Sequence, residues 1–178
     1  MNEKKILIVV DMQNDFIDGA LGTKEAQAIV PRVMERIRAC KAEGYTLMAT
    51  LDTHGEDYMN TPEGKKLPVP HCIRGTQGWR IRGEILRELN GCTLVEKPGF
   101  ASLNLPYIVR NAAAGAQAVS IELLGVCTDI CVVSNALMLK AHLPEAAIAV
   151  NAACCAGVTP EKHAAALETM RSCQIDVI

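Results

Sequence analysis

Short apolar runs alternate with longer amphipathic stretches along the whole chain. Six runs rich in Val, Ile, Leu and Ala have the length and composition of buried β-strands. They cover residues 5–11, 45–52, 92–97, 118–126, 146–152 and 174–178. The segments between them show helical apolar spacing or good helix boundaries, such as Thr159 and Pro160 at an N-terminus and Gly44 after a C-terminus. The predicted helices cover residues 24–43, 79–89, 106–114, 128–142 and 159–173.

This alternation of strand and helix is typical of a doubly wound α/β fold. We therefore predict one three-layer domain over residues 1–178, with a central, mainly parallel sheet of six strands. Right-handed crossovers in such a sheet place the carboxyl ends of the strands at one edge, where ligands bind at the topological switch point. The connection 53–78 is rich in Gly and Pro and has no sustained period, and a loop of this length in a compact domain is usually functional or disordered.

The composition of the chain argues against nucleic acid and membranes as binding partners. Lys and Arg number 18 and Asp and Glu 20, for a net charge of -2, so no basic stripe is available to bind nucleic acid. No apolar stretch approaches the roughly 20 residues of a membrane span, and the N-terminal run is too short for a secretory signal. We therefore expect a cytoplasmic protein with no membrane partner. In that compartment eight cysteines without any CxxC pair predict reduced thiols, not a disulfide framework.

Three side chains with complementary chemistry follow predicted strands: Asp11, Lys97 and Cys131. Taken singly, each has an ordinary structural interpretation as a turn cap, a solvated lysine or a core cysteine. In GVCTDICV, however, Thr128 as an N-cap would place the Cys131 thiol at the third helical position, where the helix dipole and free N–H groups stabilise a thiolate. A carboxylate that accepts the thiol proton, an ammonium beside it, and the backbone N–H groups of Cys127 and Cys131 as oxyanion donors would complete the machinery for amide hydrolysis.

The segments VVDMQNDF (9–16), EKPGFAS (96–102) and GVCTDICV (125–132) resemble, in order, the three signature segments of isochorismatase-like cysteine hydrolases. The resemblance extends over nearly the whole chain and implies an isochorismatase-like, Rossmann-like fold. It also implies that the aspartate, lysine and cysteine named above form the catalytic triad. In that family the peptide bond matching Val126–Cys127 is cis and orients the oxyanion donors.

The long loop carries four residues that offer oxygen or nitrogen ligands: Asp52, His54, Glu63 and His71. A carboxylate and an imidazole two residues apart, joined by later donors, suit Zn²⁺, Mn²⁺ or Fe²⁺, although acidic residues are also common in solvated loops. The segment resembles the metal loop of nicotinamidases, in which a D-x-H pair and a PxHC histidine bind one divalent ion. The resemblance implies one divalent ion here, with two other carboxylates competing for the position of Glu63. These are Glu56 and Asp57.

The resemblance implies an amidase that converts nicotinamide to nicotinate and ammonia through a Cys131 thioester, as a step of NAD salvage. Phe16 matches one aromatic residue that contacts the ring in nicotinamidases, whereas Pro68 stands where they carry a second one. Together with Phe100 and Val126, these residues are predicted to line the substrate pocket. The missing aromatic side chain leaves open a preference for another small amide.

Three alternatives accompany this interpretation. A related amidohydrolase acting on carbamoyl or ureido compounds would share the triad but usually lacks the D-x-H loop. A true isochorismatase cleaves a vinyl ether and does not need the cysteine. A catalytically inactive binding module would not need all three triad positions intact. By resemblance we also expect a homo-oligomer.

Three further polar residues receive structural interpretations. His142 and His163 lie on predicted helices away from the loops described above and are predicted to be surface or interface residues. Asp129 follows the predicted N-cap and is expected to complement the helix dipole.

Overall fold

The central sheet of the structure, a computed structural model that describes residues 2–178, is parallel throughout. Its strands are β1 Glu3–Val10, β2 Thr46–Asp52, β3 Thr93–Lys97, β4 Ala118–Val126, β5 Ala147–Ala156 and β6 Asp176–Val177. They lie in the order β3-β2-β1-β4-β5-β6. The chain therefore winds outward from β1 in one direction and from β4 in the other, which confirms the predicted doubly wound fold.

Helices cover the sheet as two groups. The helices are α1 Asn14–Ile17, α2 Lys24–Ala42, α3 Pro62–Lys66, α4 Gly83–Glu88, α5 Leu105–Ala112, α6 Val133–His142 and α7 Pro160–Ser172. Helix α2 packs against α4, whereas α5, α6 and α7 pack in series, and both α2 and α7 contact β5. Among residues 2–178, no helix combines the length and the apolar content that a membrane span requires.

The core is built around the two central strands. Residues Ile6–Val10 of β1 are almost completely buried, and β1 pairs with β4 over its full length. Helix α2 presents Ile29, Val33 and Ile37 to this sheet at the spacing of one helical face. Since burying a large aliphatic side chain contributes roughly 1.5–3 kcal/mol, this continuous core fixes the register that brings the strand ends together.

Gly125 is required where β4 pairs with Val10, the last residue of β1. Its φ angle is +122°, a region that favours glycine, and a Cβ atom there would lie 2.1 Å from the carbonyl oxygen of Val10. The two central strands therefore approach one another closely just before the chain leaves β4.

The boundaries differ from the predictions mainly where the elements are short or irregular. The loop 53–78 contains a 3₁₀ turn, Tyr58–Asn60, and helix α3, whose N-cap Thr61 accepts a hydrogen bond from Gly64 N–H. Strand β5 extends to Ala156 through a register shift against β4. The predicted helix 128–142 begins instead with a π-helical turn, Thr128–Val132.

Candidate active site

Four strand ends meet at the switch point between β1 and β4. Asp11 directly follows β1, Asp52 and Lys97 are the last residues of β2 and β3, and Cys131 lies in the π-helical turn after β4. Because the strands are parallel, these side chains reach the same edge of the sheet.

Lys97 is the centre of a buried ionic cluster. Its Nζ lies 2.7 Å from Asp11 Oδ2 and donates to Cys131 Sγ at 3.3 Å and to the Gly99 carbonyl oxygen at 3.1 Å. Both Asp11 and Lys97 are fully buried. Thr50 donates a 2.6 Å hydrogen bond to Asp11 Oδ1. Asp11 Oδ2 makes the ion pair without a well-aligned hydrogen bond within residues 2–178, so this oxygen retains the capacity to accept a proton.

Burial sets the protonation of this cluster. It raises the pKa of the Cys131 thiol well above its usual value; the carboxylate of Asp11 raises it further and Lys97 opposes the change. Burial also raises the pKa of Asp11 against the opposing effect of Lys97. Burial alone would lower the pKa of Lys97, but Asp11, Cys131 and Asp52 together raise it, so the ammonium stays charged. The Cys131 side chain is therefore a thiol, and it would need a base to form a thiolate.

Three buried ligand groups lie beside this cluster. Asp52, His54 and His71 each place a ligand atom within 4.8 Å of the other two. Asp52 Oδ2 lies 3.0 Å from His54 Nε2 and 3.5 Å from His71 Nε2. Burial alone would raise the pKa of the Asp52 carboxyl, but the two imidazoles together with Lys97 outweigh it and lower that pKa. His71 Nδ1 lies 2.8 Å from the Val69 carbonyl oxygen, and donation to that oxygen leaves Nε2 free as a ligand. This donor set fits a divalent ion.

Glu63 lies at the edge of this group. Its Oε1 is 3.8 Å from His54 Nε2 and 4.0 Å from His71 Nε2, and its side chain is partly exposed on helix α3. The rivals Glu56 and Asp57 are exposed and do not belong to the buried group. Of the three carboxylates considered, the structure therefore brings only Glu63 close to both imidazoles.

A cavity of about 240 Å³ connects the ligand group with the thiol. Its lining residues are Phe16, Leu21, Thr23, Asp52, Glu63, Leu67, His71, Phe100, Cys127, Ile130, Cys131 and Val158. A larger groove of about 560 Å³ lies beside β3 and contains none of the ionic or ligand side chains described above. The smaller cavity is therefore the candidate active site.

The model of the isochorismatase domain matches residues 5–178. The chain belongs to the isochorismatase family. A Bacillus subtilis protein named uncharacterized isochorismatase family protein PncA is 32% identical over 92% of each chain. The nicotinamidase/pyrazinamidase of Mycobacterium tuberculosis is 27% identical over 98% of each chain. Pyrazinamidase of Pyrococcus horikoshii, solved in complex with zinc, shares 27% identity and a TM-score of 0.80 over 98% of each chain.

The resemblance to the isochorismatase family also predicts the conformation of the peptide bond before the turn that contains Cys131. The peptide bond between Val126 and Cys127 is cis, as the resemblance implied. Both Cys127 and Cys131 line the cavity, and the Cys127 carbonyl oxygen accepts hydrogen bonds from Ile130 and Val132 N–H. Burial, reinforced by Asp129, raises the pKa of the Cys127 thiol to about 12, so this second thiol stays protonated.

Two of the predicted pocket residues lie outside the cavity. Phe16 and Phe100 line it, whereas Pro68 and Val126 do not. Val126 is buried at the end of β4, between its neighbouring strands. Pro68 is exposed, and its neighbour Leu67 reaches the cavity in its place.

The turn after β4 also differs from the prediction that was made from its local sequence. Thr128 is not an N-cap: Cys127 holds that position and makes no side-chain capping bond. The Thr128 hydroxyl instead shares a 2.8 Å hydrogen bond with Nδ1 of His163, which is half-buried and not a plain surface residue. Asp129 Oδ1 accepts a hydrogen bond from Val158 N–H at 2.9 Å. By contrast, His142 is exposed.

Two buried amides hold the site together and were not predicted. Gln13 accepts from Asp52 N–H and donates to the Asp52 and Trp79 carbonyl oxygens, each at 2.8 Å. Asn135 donates to the Cys131 carbonyl oxygen at 2.8 Å and accepts from Ser102 N–H at 3.0 Å. A signal was available only for Asn135, which lies in a mostly apolar segment, since buried polar groups are normally hydrogen-bonded.

Proposed function

We propose that this member of the isochorismatase family is a cysteine amidohydrolase that converts nicotinamide to nicotinate and ammonia. The observation that carries the proposal is a single cavity that joins a buried Asp11–Lys97–Cys131 cluster to the ligand group of Asp52, His54 and His71. The names of the relatives in Mycobacterium tuberculosis and Pyrococcus horikoshii support this assignment.

In the proposed reaction Asp11 accepts the proton of the Cys131 thiol, and the thiolate attacks the carboxamide carbon to form a C–S bond. The oxyanion of the tetrahedral intermediate is bound by the backbone N–H groups of Cys127 and Cys131. The C–N bond then breaks, and Asp11 returns the proton to the leaving ammonia. Water, deprotonated by Asp11, hydrolyses the thioester, which releases the carboxylic acid and regenerates the thiol.

Lys97 has an electrostatic part in this scheme. Its Nζ contacts both Asp11 Oδ2 and Cys131 Sγ, so it stabilises whichever of the two carries the negative charge. Burial raises the pKa of both acids, and without an adjacent cation neither would ionise readily.

Asp52, His54 and His71 would hold one divalent ion, Zn²⁺, Mn²⁺ or Fe²⁺, with Glu63 as a further ligand. When bound, the ion supplies a Lewis acid toward a ring nitrogen. The chain itself orients the ring through Phe16, which lies in the cavity wall next to His71 with 5.6 Å between ring centroids.

The other cavity walls favour a second candidate, a related amidohydrolase with another small amide substrate. Leu21, Leu67, Ile130 and Val158 give the cavity an aliphatic lining, and the second ring-stacking side chain expected of a nicotinamidase is absent at Pro68. A non-aromatic amide, or a carbamoyl or ureido compound, would fit such walls. Isochorismatase chemistry has no comparable support, because it leaves the buried thiol without a role.

The test is ammonia release from nicotinamide by purified protein of known metal content, with Cys131→Ala as the blank. We expect release with about one metal ion per chain and none from the variant. Metal binding without release from nicotinamide would reject nicotinamide as the substrate and favour the second candidate, which a panel of small amides and ureido compounds would then identify. Turnover that survives in Cys131→Ala would reject the cysteine mechanism.

Two broader expectations accompany this proposal, and only the first depends on it. The nicotinate produced would enter NAD salvage. The expected homo-oligomer stays a prediction, and light scattering after size-exclusion chromatography measures it directly.

A further inference from the structure

Two consecutive residues, Thr128 and Asp129, connect the turn that contains Cys131 to the segment around the start of helix α7. Thr128, the first residue of the π-helical turn, is completely buried, and within residues 2–178 its hydroxyl has one partner, His163 Nδ1 at 2.8 Å. Asp129 Oδ1 accepts from Val158 N–H, in the connection between β5 and α7. Both contacts tie the turn to the start of helix α7, which packs against it.

The packing at this junction is tight. A Cβ atom on Gly157 would lie 2.8 Å from His163 N and 2.9 Å from Asp129 Oδ1. His163 is half-buried, and burial lowers the pKa of its imidazole against the opposing effect of Asp129, so the ring is neutral near pH 7. A neutral imidazole can share its Nδ1 with a hydroxyl as either donor or acceptor.

The position of Thr128 gives this contact a consequence for the chemistry. It lies between Cys127 and Cys131, whose backbone N–H groups are the oxyanion donors of the proposed mechanism. Movement of the Thr128 backbone would therefore displace the Cys127 donor directly. A buried hydroxyl that loses its one partner is destabilised, and movement of the backbone toward another partner or toward water would relieve that loss.

We propose that His163 is a positioning residue, which holds the oxyanion donor at Cys127 through its hydrogen bond to Thr128. The inference rests on the proposed cysteine amidase chemistry and adds to it a residue more than 30 positions from the nucleophile. His163 does not line the cavity, so it acts through the turn and not on the substrate.

The experiment compares His163→Leu with His163→Asn, because the asparagine side chain can place a polar atom near the position of Nδ1. We expect His163→Leu to lower kcat for nicotinamide by about tenfold to a hundredfold with KM within about twofold, since a displaced oxyanion donor affects the transition state most. His163→Asn should recover kcat to within about threefold of the wild-type value. His142→Leu, on an exposed histidine, is the matched control and should leave kcat unchanged.

A variant of Thr128, the hydroxyl partner of His163, gives an independent test. Thr128→Val, which keeps the side-chain shape, should reproduce the loss of His163→Leu, and the double variant should be no worse than the poorer single variant because both remove one interaction. Alkylation of Cys131 by iodoacetamide, followed by peptide mass spectrometry, needs no oxyanion and should change by less than about twofold. If His163→Leu does not fold, as judged by circular dichroism, Thr128→Val decides.

Three results would overturn the inference: wild-type kcat in both His163→Leu and Thr128→Val, additive losses in the double variant, or alkylation that slows in parallel with kcat. The acylation burst of Cys131 with p-nitrophenyl acetate separates this outcome from failure of the proposed substrate. Absence of nicotinamide hydrolysis together with a normal burst rejects nicotinamide alone, and the variants are then compared by their bursts. Absence of a burst from a wild-type thiol that alkylates normally would reject the oxyanion assignment and this inference with it.

Discussion

Lys97→Met removes the buried ammonium while keeping a side chain of similar length and apolar character. In the structure this ammonium lies 2.7 Å from Asp11 Oδ2 and 3.3 Å from both Asp52 Oδ1 and Cys131 Sγ. The variant therefore leaves carboxylates without their shared cation, and it should reduce both stability and turnover.

The two carboxylates are not affected equally. Asp52 keeps its contacts with both imidazoles, whereas Asp11 keeps only the hydroxyl of Thr50. Removing one partner of a buried ion pair typically destabilises by about 3–5 kcal/mol, and we expect a loss of this size at pH 7.

The loss should depend on pH with a defined sign. Burial already raises the pKa of Asp11, and without Lys97 only the hydrogen bond from Thr50 opposes that increase. The folded state then binds a proton that the unfolded state releases near pH 3.9, so stability falls as pH rises toward the folded pKa. One proton over two pH units corresponds to about 2.7 kcal/mol, so the deficit of Lys97→Met should be smaller at pH 5 than at pH 7 by up to about that amount.

Urea unfolding at pH 5 and pH 7, with a chelator present throughout, measures this difference through the fluorescence of the single tryptophan, Trp79. The double variant Asp11→Asn/Lys97→Met is the control, because it has no titrating group at position 11 and should lose the extra pH dependence. It should recover part of the stability but no turnover, while Lys97→Met lowers kcat/KM by about 10³-fold. Equal stability of Lys97→Met and wild-type protein at both pH values would refute the reasoning.

Three further changes test other parts of the site. Glu63→Gln should weaken zinc binding by about tenfold or more in calorimetric titration, whereas Glu56→Gln, on an exposed carboxylate, should not; equal affinities would remove Glu63 from the ligand set. Gly125→Ala places a Cβ atom 2.1 Å from the Val10 carbonyl oxygen and should destabilise by about 4 kcal/mol in urea unfolding, and a loss below about 1 kcal/mol would contradict that clash. Phe16→Ala should raise KM for nicotinamide by about tenfold with a small change in kcat, and an unchanged KM would exclude ring stacking at this wall.

The architecture was predictable because its strongest signals are local and redundant. The runs 5–11 and 118–126 are apolar enough to be buried on both faces, and they became the paired central strands. The C-terminal part of β5, Ala152–Ala156, contains only Ala and Cys and lacks the β-branched residues that mark strands, so its extension depends on pairing that a local pattern cannot show.

The strand-end residues were also predictable, but the groups that orient them were not. Asp11, Lys97 and Cys131 follow from where parallel strands end. The hydrogen bonds of Thr50 to Asp11 and of Gln13 to the Asp52 backbone join residues 39 positions apart. Their partners depend on the register of neighbouring strands, which apolar patterning constrains only to within a face.

Thr128 shows how a local signal fails for a physical reason. Its hydroxyl as an N-cap would contribute about 1 kcal/mol, but the residue is fully buried, and a partner that satisfies the hydroxyl in the core avoids a penalty of about 1–3 kcal/mol. His163 supplies that partner, so the turn forms without a side-chain cap. Burial of Cys131 in the same turn raises the pKa of its thiol, so the predicted thiolate stabilised by a helix dipole does not form there. In the proposed mechanism, activation of the Cys131 thiol therefore depends on the adjacent Asp11 and Lys97, not on the position of the cysteine in a helix.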